Sequence, residues 1–529
     1  MQGALKVVPA LKVAFLALSL LPQTCADLPV HCVRHQIQGE WDFFLGPASA
    51  ERSSCGHEMP DHEERQPKVS LAEIQEQKRI TLGSPNVAQT RLDDAGNWTM
   101  IYDEGFEVNV DGLSFFAFSK FDLSFGSNGR HNVSRCGETQ MGWYHSVDRA
   151  RWGCYYAKKI VSDHEGAALL GYAPAPRPKT ALYEVPLGFD FHRMFAAGLN
   201  ALQSLWTARP HDRLVGKSLR ELNSMAGISR PRAASTKRPA QRQEGVQDAP
   251  DWRKPLVPAG VSFLQAGMSR SARRGATVDE DGVEDLPRSW DWRNVSGVNY
   301  LDEVLDQGEC GSCYVVATTR MLSARHRIRQ RDPSLEAFSI EFPLYCSEYN
   351  QGCSGGYAFL ASRWAQDVGL VPQSCGHYAS SDGRCSLQCD ASGLERKWRA
   401  DNHHYVGGYY GAASELSMMQ EVARNGPIVV SFEPKPDIMY YSGGVYSSTE
   451  NQHAEWEQVD HAVLLVGYGE ENGEKYWVLQ NSWGSHWGED GFFRMSRGSD
   501  ESGVESIAVA ADVVEDARPS VLLEFARRL

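Results

Sequence analysis

This 529-residue chain lacks any run of the roughly 20 consecutive apolar residues that a membrane-spanning helix requires; its N-terminal apolar run, from Val13 to Leu21, covers only nine positions. Excess positive charge is missing too. Lys and Arg number 53 against 67 Asp and Glu, for a net charge of −14, which argues against the broad basic surface that nucleic-acid binding needs. With 42% hydrophobic and 23% charged residues, the chain is too apolar to be mainly disordered and too long for one ordinary domain. A C-x-x-C is present at Cys310 and Cys313. Zinc would need two more ligands at suitable spacing, and disulfide formation competes for these thiols; a thioredoxin-like site would need a surrounding βαβ pattern, which the sequence does not show.

Residues 1–26 carry Lys6 and Lys12, the apolar run, and then Thr24-Cys25-Ala26, the pattern of a secretory signal cut before Asp27. A chain entering that route oxidises its thiols. Of the twelve cysteines, Cys25 lies in the signal, and leaving one thiol reduced gives an even ten for disulfides. Three Asn-x-Ser/Thr sequons, at Asn97, Asn132 and Asn294, suit the same compartment as glycosylation acceptors.

From 27 to 162, short alternating runs such as Phe106–Val110 and Leu113–Phe121 are broken by Gly and Asp-Gly, which predicts antiparallel strands in a sandwich or barrel. Residues 163–285 differ. A Pro-rich patch is followed by Phe191, Met194, Phe195, Leu199, Leu202, Leu205 and Trp206 at helical spacing, predicting an amphipathic helix that must lie against something. Residues 228–275 then hold ten Lys or Arg against three Asp or Glu with little apolar content, the composition of an exposed, cleavable linker. The region 286–512 mixes a helical segment, from Cys313 to about Arg329, with later strand-like runs at His461–Gly469 and Tyr476–Gln480, an α+β pattern. A tail, 513–529, remains.

The chemistry sits in that third region. Gln307-Gly-Glu-Cys310-Gly-Ser-Cys313 precedes Val459-Asp-His461 and Gln480-Asn481-Ser-Trp483-Gly. A thiol attacks only as thiolate, and an imidazole can hold it in that form as an ion pair while an amide oxygen fixes the imidazole tautomer. A helix starting at Cys313 favours the anion further. His461 lies 148 positions after Cys313, within the interval of about 130–150 associated with Cys-Gly-Ser-Cys peptidases; Asn481 lies 168 positions on and is assigned from its Asn-Ser-Trp-Gly context.

With Trp290-Asp-Trp292 and Cys353-Ser-Gly355-Gly356, these motifs resemble the papain family of cysteine peptidases over 286–512. The resemblance implies a two-lobed catalytic domain, one lobe helical and one β-barrel-like. It implies Cys313 as nucleophile, His461 as acid and base, Asn481 as its orienter and Gln307 as an oxyanion donor. It further implies Trp483 as a shield, substrate binding by Gly355, Gly356 and Tyr357, and disulfides Cys310–Cys353, Cys346–Cys385 and Cys375–Cys389. No metal is expected. The preceding region, through Asp27-Leu-Pro-Val-His-Cys32, Thr99–Glu107 and Phe115–Phe118, is similar to the exclusion domain of the cathepsin C, or dipeptidyl peptidase I, subgroup.

That subgroup implies a β-barrel exclusion domain at 27–162, stapled by Cys32–Cys136 and Cys55–Cys154. It implies a propeptide at 163–285 excised by an activating protease, a nick within 447–457, a homotetramer, and a chloride ion touching Tyr405. Asp27 would hold the substrate's α-ammonium. The expected activity is removal of dipeptides from free N-termini of peptides and proteins in a lysosome, a lysosome-like vacuole or outside the cell. Two departures from the pattern are Tyr357, where Phe is usual, and Asp460, where Asn is usual. A papain-like endopeptidase and an inactive β-domain binding protein are the alternatives.

Overall fold

The computed structural model describes residues 30–57, 73–91, 95–126, 129–160, 186–218, 286–386, 398–449 and 461–515, with side chains given except for 123–132. The signal segment, Asp27, the side chain of Asn132, the basic linker, Cys389, most of the expected nick region, Asp460 and residues 516–529 of the tail lie outside the described residues.

Alternation builds the first unit. In β1 (Gly39–Leu45) Trp41, Phe43 and Leu45 are buried while their neighbours are less so, as a strand with one face on a core requires. It is followed by β2 (Glu76–Gly83), β3 (Val87–Thr90), β4 (Ala95–Ile101), β5 (Gly105–Val110), β6 (Leu113–Gly126), β7 (Gly129–Thr139), β8 (Gly142–Ser146) and β9 (Trp152–Lys159). Asp111 and Gly112 both have positive φ, 52° and 67°, the tight turn that an Asp-Gly pair favours between β5 and β6.

Every strand pairing here is antiparallel, and β1 pairs with β9 as well as β2, while β6 pairs with β8. The circuit β1-β2-β3-β4-β5-β6-β8-β9 therefore closes into an eight-stranded barrel, with β7 attached outside it to β6 and β9. Closure leaves no edge in the circuit open to other chains. Phe43, Phe115 and Tyr155 fill it with ring centroids 5.1–5.4 Å apart. Cys32–Cys136 and Cys55–Cys154 staple its ends.

The peptidase region packs helices on a second sheet. Helix α1 (Arg34–Ile37) belongs to the barrel's start, α2 (Phe189–Leu202) to the middle segment, and α3 (Cys313–Gln330), α4 (Glu341–Cys346), α5 (Ala358–Asp367) and α6 (Glu415–Asn425) to this region. The sheet contains β10 (Trp206–Ala208), β11 (Trp290–Asp291), β12 (Trp398–Tyr405), β13 (Ile428–Phe432), β14 (Tyr441–Tyr446), β15 (His461–Glu471), β16 (Glu474–Gln480), β17 (Phe492–Ser496) and β18 (Ala508–Glu515). Its order is β10-β14-β17-β16-β15-β13-β18-β12, with β11 on β15. Helix α3 lies across β15, β18 and β13, so it is buried nearly all round from Cys313 to Arg327.

The middle segment docks through only part of its hydrophobic pattern. The expected helix forms as α2, yet Phe191, Met194 and Leu202 stay exposed, at 42%, 67% and 77%, and the buried side chains are His192, Ala196 and Leu199. The next strand, β10, pairs with β14, and on the docked face of α2 His192 Nδ1 lies 2.8 Å from Tyr440 Oη and the Phe195 ring 4.8 Å from the Tyr440 ring.

Candidate active site

Cys313 is the first residue of α3, buried, and is not in a disulfide. Cys310 bonds to Cys353, which removes it as a dithiol partner or metal ligand. Cys346 bonds to Cys385, and Cys375 is also disulfide-bonded. At the helix start the Ser312 carbonyl accepts from the Val315 and Val316 amides, 3.1 and 2.9 Å away. Sγ is thus held where the helix dipole favours negative charge.

His461 opens β15, in register with Phe432 of β13. Its Nε2 lies 2.9 Å from Asn481 Oδ1, so the Nε2–H tautomer is fixed and Nδ1 is left as the basic atom. Nδ1 is buried without a hydrogen bond. Burial pushes the imidazole down to about 4, the Asn481 hydrogen bond opposes that, and the Arg213 charge adds to it. Trp483 stacks on the ring at a centroid distance of 4.9 Å, tilted 24°.

Gln307 is fully buried and gripped by Ser482 at two points. Its backbone N–H donates to Ser482 O at 2.9 Å, and its Oε1 accepts from Ser482 Oγ at 2.5 Å. That leaves Nε2 as the donor end, now directed at Cys310 O, 2.9 Å away. Ser482, unremarked in the sequence, takes this place where the chain after β16 (Glu474–Gln480) meets the Gln307 loop.

Gly355 sits at φ 122°, a conformation that a Cβ would strain. Gly356 faces Asn350, whose Oδ1 would lie 2.3 Å from an added Cβ, and the same oxygen accepts from the Tyr357 amide at 2.9 Å. The Gly355-Gly356 backbone therefore runs bare of side chains next to Gly311, where an added Cβ would sit 3.6 Å from Gly355 N. Asn350, unremarked in the sequence, is what draws it in.

The barrel reaches this same cleft. Its β4–β5 turn holds Tyr102 at φ 51°, an uncommon conformation for an aromatic residue. The Tyr102 ring lies 3.8 Å from that of Tyr357, and its hydroxyl is 3.4 Å from Ser431 Oγ on β13, next to the strand position that faces His461. Glu104, 2% exposed, accepts from Tyr357 Oη at 2.8 Å. Nothing in the alternating pattern of β4 and β5 signalled that their turn enters the cleft between the two lobes.

Behind the turn, a buried charge network joins barrel to peptidase. Arg363 pairs with Glu107 and lies 3.6 Å from Asp367; His403 Nε2 is 2.9 Å from Glu107. Burial alone would raise Glu107, yet Arg363 and His403 outweigh it and hold the carboxyl well below its ordinary range. Tyr405 is also buried here, stacked on Phe359 at 4.3 Å. Its hydroxyl faces the Tyr102 backbone without a well-formed hydrogen bond.

The middle segment crosses the other side. Arg213 donates to the Trp483 carbonyl and to Asp306, 3.1 Å away, and Lys217 pairs with Glu309 at 2.9 Å, bracketing the Gln307 loop. Of the sequons, Asn97 and Asn294 are exposed.

Residues 286–512 match the papain family cysteine protease profile, and residues 27–159 match the cathepsin C exclusion domain. A cathepsin C of Schistosoma mansoni is 29% identical over 520 residues, spanning 94% of this chain and 97% of the relative. A dipeptidyl aminopeptidase 1 of Plasmodium falciparum is 24% identical over 668 residues, spanning 91% and 92%. A cathepsin B-like CP2 of Giardia intestinalis is 33% identical over 255 residues, spanning 47% of this chain and 81% of the relative.

Proposed function

The chain belongs to the papain family of cysteine proteases and carries a cathepsin C exclusion domain, and from that premise we propose that it removes dipeptides from the free N-termini of peptides and proteins. One observation carries the reading. The barrel's Tyr102–Glu104 turn is wedged against Tyr357 of one lobe and Ser431 of the other, so an extended peptide running past Gly356 meets a wall instead of open solvent. A cleft closed at that end accepts a short amino-terminal piece and rejects a longer one.

In this mechanism Cys313 Sγ attacks the peptide carbonyl as thiolate, with its proton on His461 Nδ1. The oxyanion is held by Gln307 Nε2 and the Cys313 N–H. His461 then gives its proton to the departing amine, the C–N bond breaks, and a thioester remains. Water, deprotonated by His461, hydrolyses that thioester and restores the thiol. Asn481 keeps the imidazole in the tautomer that both steps use. Trp483 is assigned to keeping water from that hydrogen bond.

Asp27, outside the described residues, is assigned to the substrate's α-ammonium, where a charge-assisted hydrogen bond favours an unblocked terminus. The buried Tyr405 hydroxyl, a donor without a formed bond, fits an anion such as chloride; bound there, the ion would supply negative charge at the edge of the second-residue pocket. We assign residues 163–285 to an excised propeptide. Arg213 and Lys217 astride the Gln307 loop suit a latent precursor matured by another protease. A lysosome-like or extracellular site and a homotetramer complete the reading. Among the described residues no helix is long and apolar enough to cross a membrane.

The test is a peptide offered to the matured protein with its N-terminus free or acetylated, products identified by mass. Stepwise loss of dipeptides from the free peptide alone is expected. Internal cuts in both would establish an endopeptidase instead.

A further inference from the structure

The oxyanion donors come from two separate pieces of chain, the Gln307 loop and the first turn of α3, and something must fix the gap between them. Ser482 holds Gln307 from one side. On the other side stands Tyr378, in the loop after α5, a residue that no motif marks. Its Oη donates to the Gln307 backbone carbonyl at 3.0 Å and lies 2.5 Å from Ser312 Oγ. Since the phenol proton goes to Gln307 O, the Ser312 hydroxyl donates to Tyr378 Oη.

We propose that Tyr378 is a positioning residue of the oxyanion site, its hydroxyl tying the Gln307 backbone to Ser312, the residue that precedes Cys313. The inference rests on the reading of Gln307 Nε2 and the Cys313 N–H as the oxyanion donors. Ser312 is fully buried, and its carbonyl caps the first turn of α3, so a tie to its hydroxyl is a tie to the backbone that presents the Cys313 N–H. Two donors that must converge on one oxygen lose their effect when their separation drifts, because preorganised donors act only at the position where charge develops. The phenol is a rigid strut between them, and the thiol chemistry does not pass through it.

Four measurements on the matured protein separate a positioning role from a structural one. Tyr378→Phe removes the tie and keeps the ring. It should lower kcat on a free-amino dipeptidyl anilide on the order of tenfold at unchanged KM, a fraction of the 10²–10³ that losing an oxyanion donor outright costs. Alkylation of Cys313 by iodoacetamide, which builds no oxyanion, should proceed at the wild-type rate. In a Gln307→Ala background the same substitution should cost almost nothing further, because the donor it positions is gone. Ser312→Ala, which cuts the other end of the tie, should reproduce the kcat loss. Multiplicative effects of Tyr378→Phe and Gln307→Ala, or alkylation slowed as much as kcat, would overturn the proposal. An unchanged kcat in Gln307→Ala alone would overturn the oxyanion assignment beneath it.

Discussion

The Tyr102 ring of the barrel lies 3.8 Å from the Tyr357 ring of the peptidase, tilted by 32°, although 255 positions separate them in the chain. This contact makes the barrel part of the substrate cleft. Tyr102→Gly relieves the positive φ and deletes the ring at once, so it should open that end without disturbing the barrel. Cleavage of an acetylated peptide, measured by mass, should then rise by at least about tenfold, equivalent to removing one 1.4 kcal/mol obstacle. No gain would refute the wall.

The His461–Asn481 hydrogen bond of 2.9 Å fixes which imidazole nitrogen carries the exchangeable proton. Asn481→Ala should lower kcat by about 10², the lower range for loss of a well-placed acid–base group, with KM little changed. Steady-state kinetics on an anilide checks both numbers together.

Arg213 sits over the Trp483 carbonyl, and its charge disfavours an imidazolium at His461. In the uncleaved chain, Arg213→Ala should therefore raise the His461 pKa and the share of thiolate–imidazolium pairs. Iodoacetamide should alkylate Cys313 several times faster at pH 6, with 1.4 kcal/mol of relief corresponding to a factor of ten. On the proposed excision of the segment, the substitution should have no effect in the matured chain.

Buried histidines in the barrel set an acid limit to stability. His57, between Trp143 and the Met141 carbonyl, is pushed down to about 4 by burial, and so is His145 beside Asp367. Both folded values lie below the unfolded value of about 6.5. Their contribution is thus complete above pH 6.5 and is lost as pH falls toward 4, by up to about 3 kcal/mol each. Urea midpoints between pH 7 and 4 should fall, and His57→Gln should flatten part of that slope.

Arg363 is wholly buried between Glu107 and Asp367. Arg363→Met leaves two carboxylates buried without it, which costs about 3–5 kcal/mol when one partner of such a set is removed. Unfolding in urea should show a loss of that order. Replacing Arg363 together with Glu107 should cost less than the sum, since the stranded charge is then removed as well.

The sequence alone determined the chemistry and the class of each unit. Alternation in Phe106–Val110 and Leu113–Phe121 announced strands, and an Asp-Gly turn joined them, because side-chain period and turn conformation are local properties. Gln307, Cys313, His461 and Asn481 were legible for a similar reason: each sits in a short motif whose residue types the reaction demands. The face on which α2 docks was only partly legible: Leu199 of its hydrophobic stripe is buried, but so is His192, bonded to Tyr440 from a strand-rich region far along the chain. Nor was any residue whose function lies in a contact across the fold. Ser482 acts only where β16 ends beside the Gln307 loop, Tyr378 only where its loop returns to α3, and Tyr102 only where a barrel turn enters a cleft made by two lobes. Tertiary structure decided those, since closing long loops brings together groups that no local pattern relates. Residue type alone marks a thiol hydrolase; how far along a peptide it reaches depends on where the barrel's turn comes to rest.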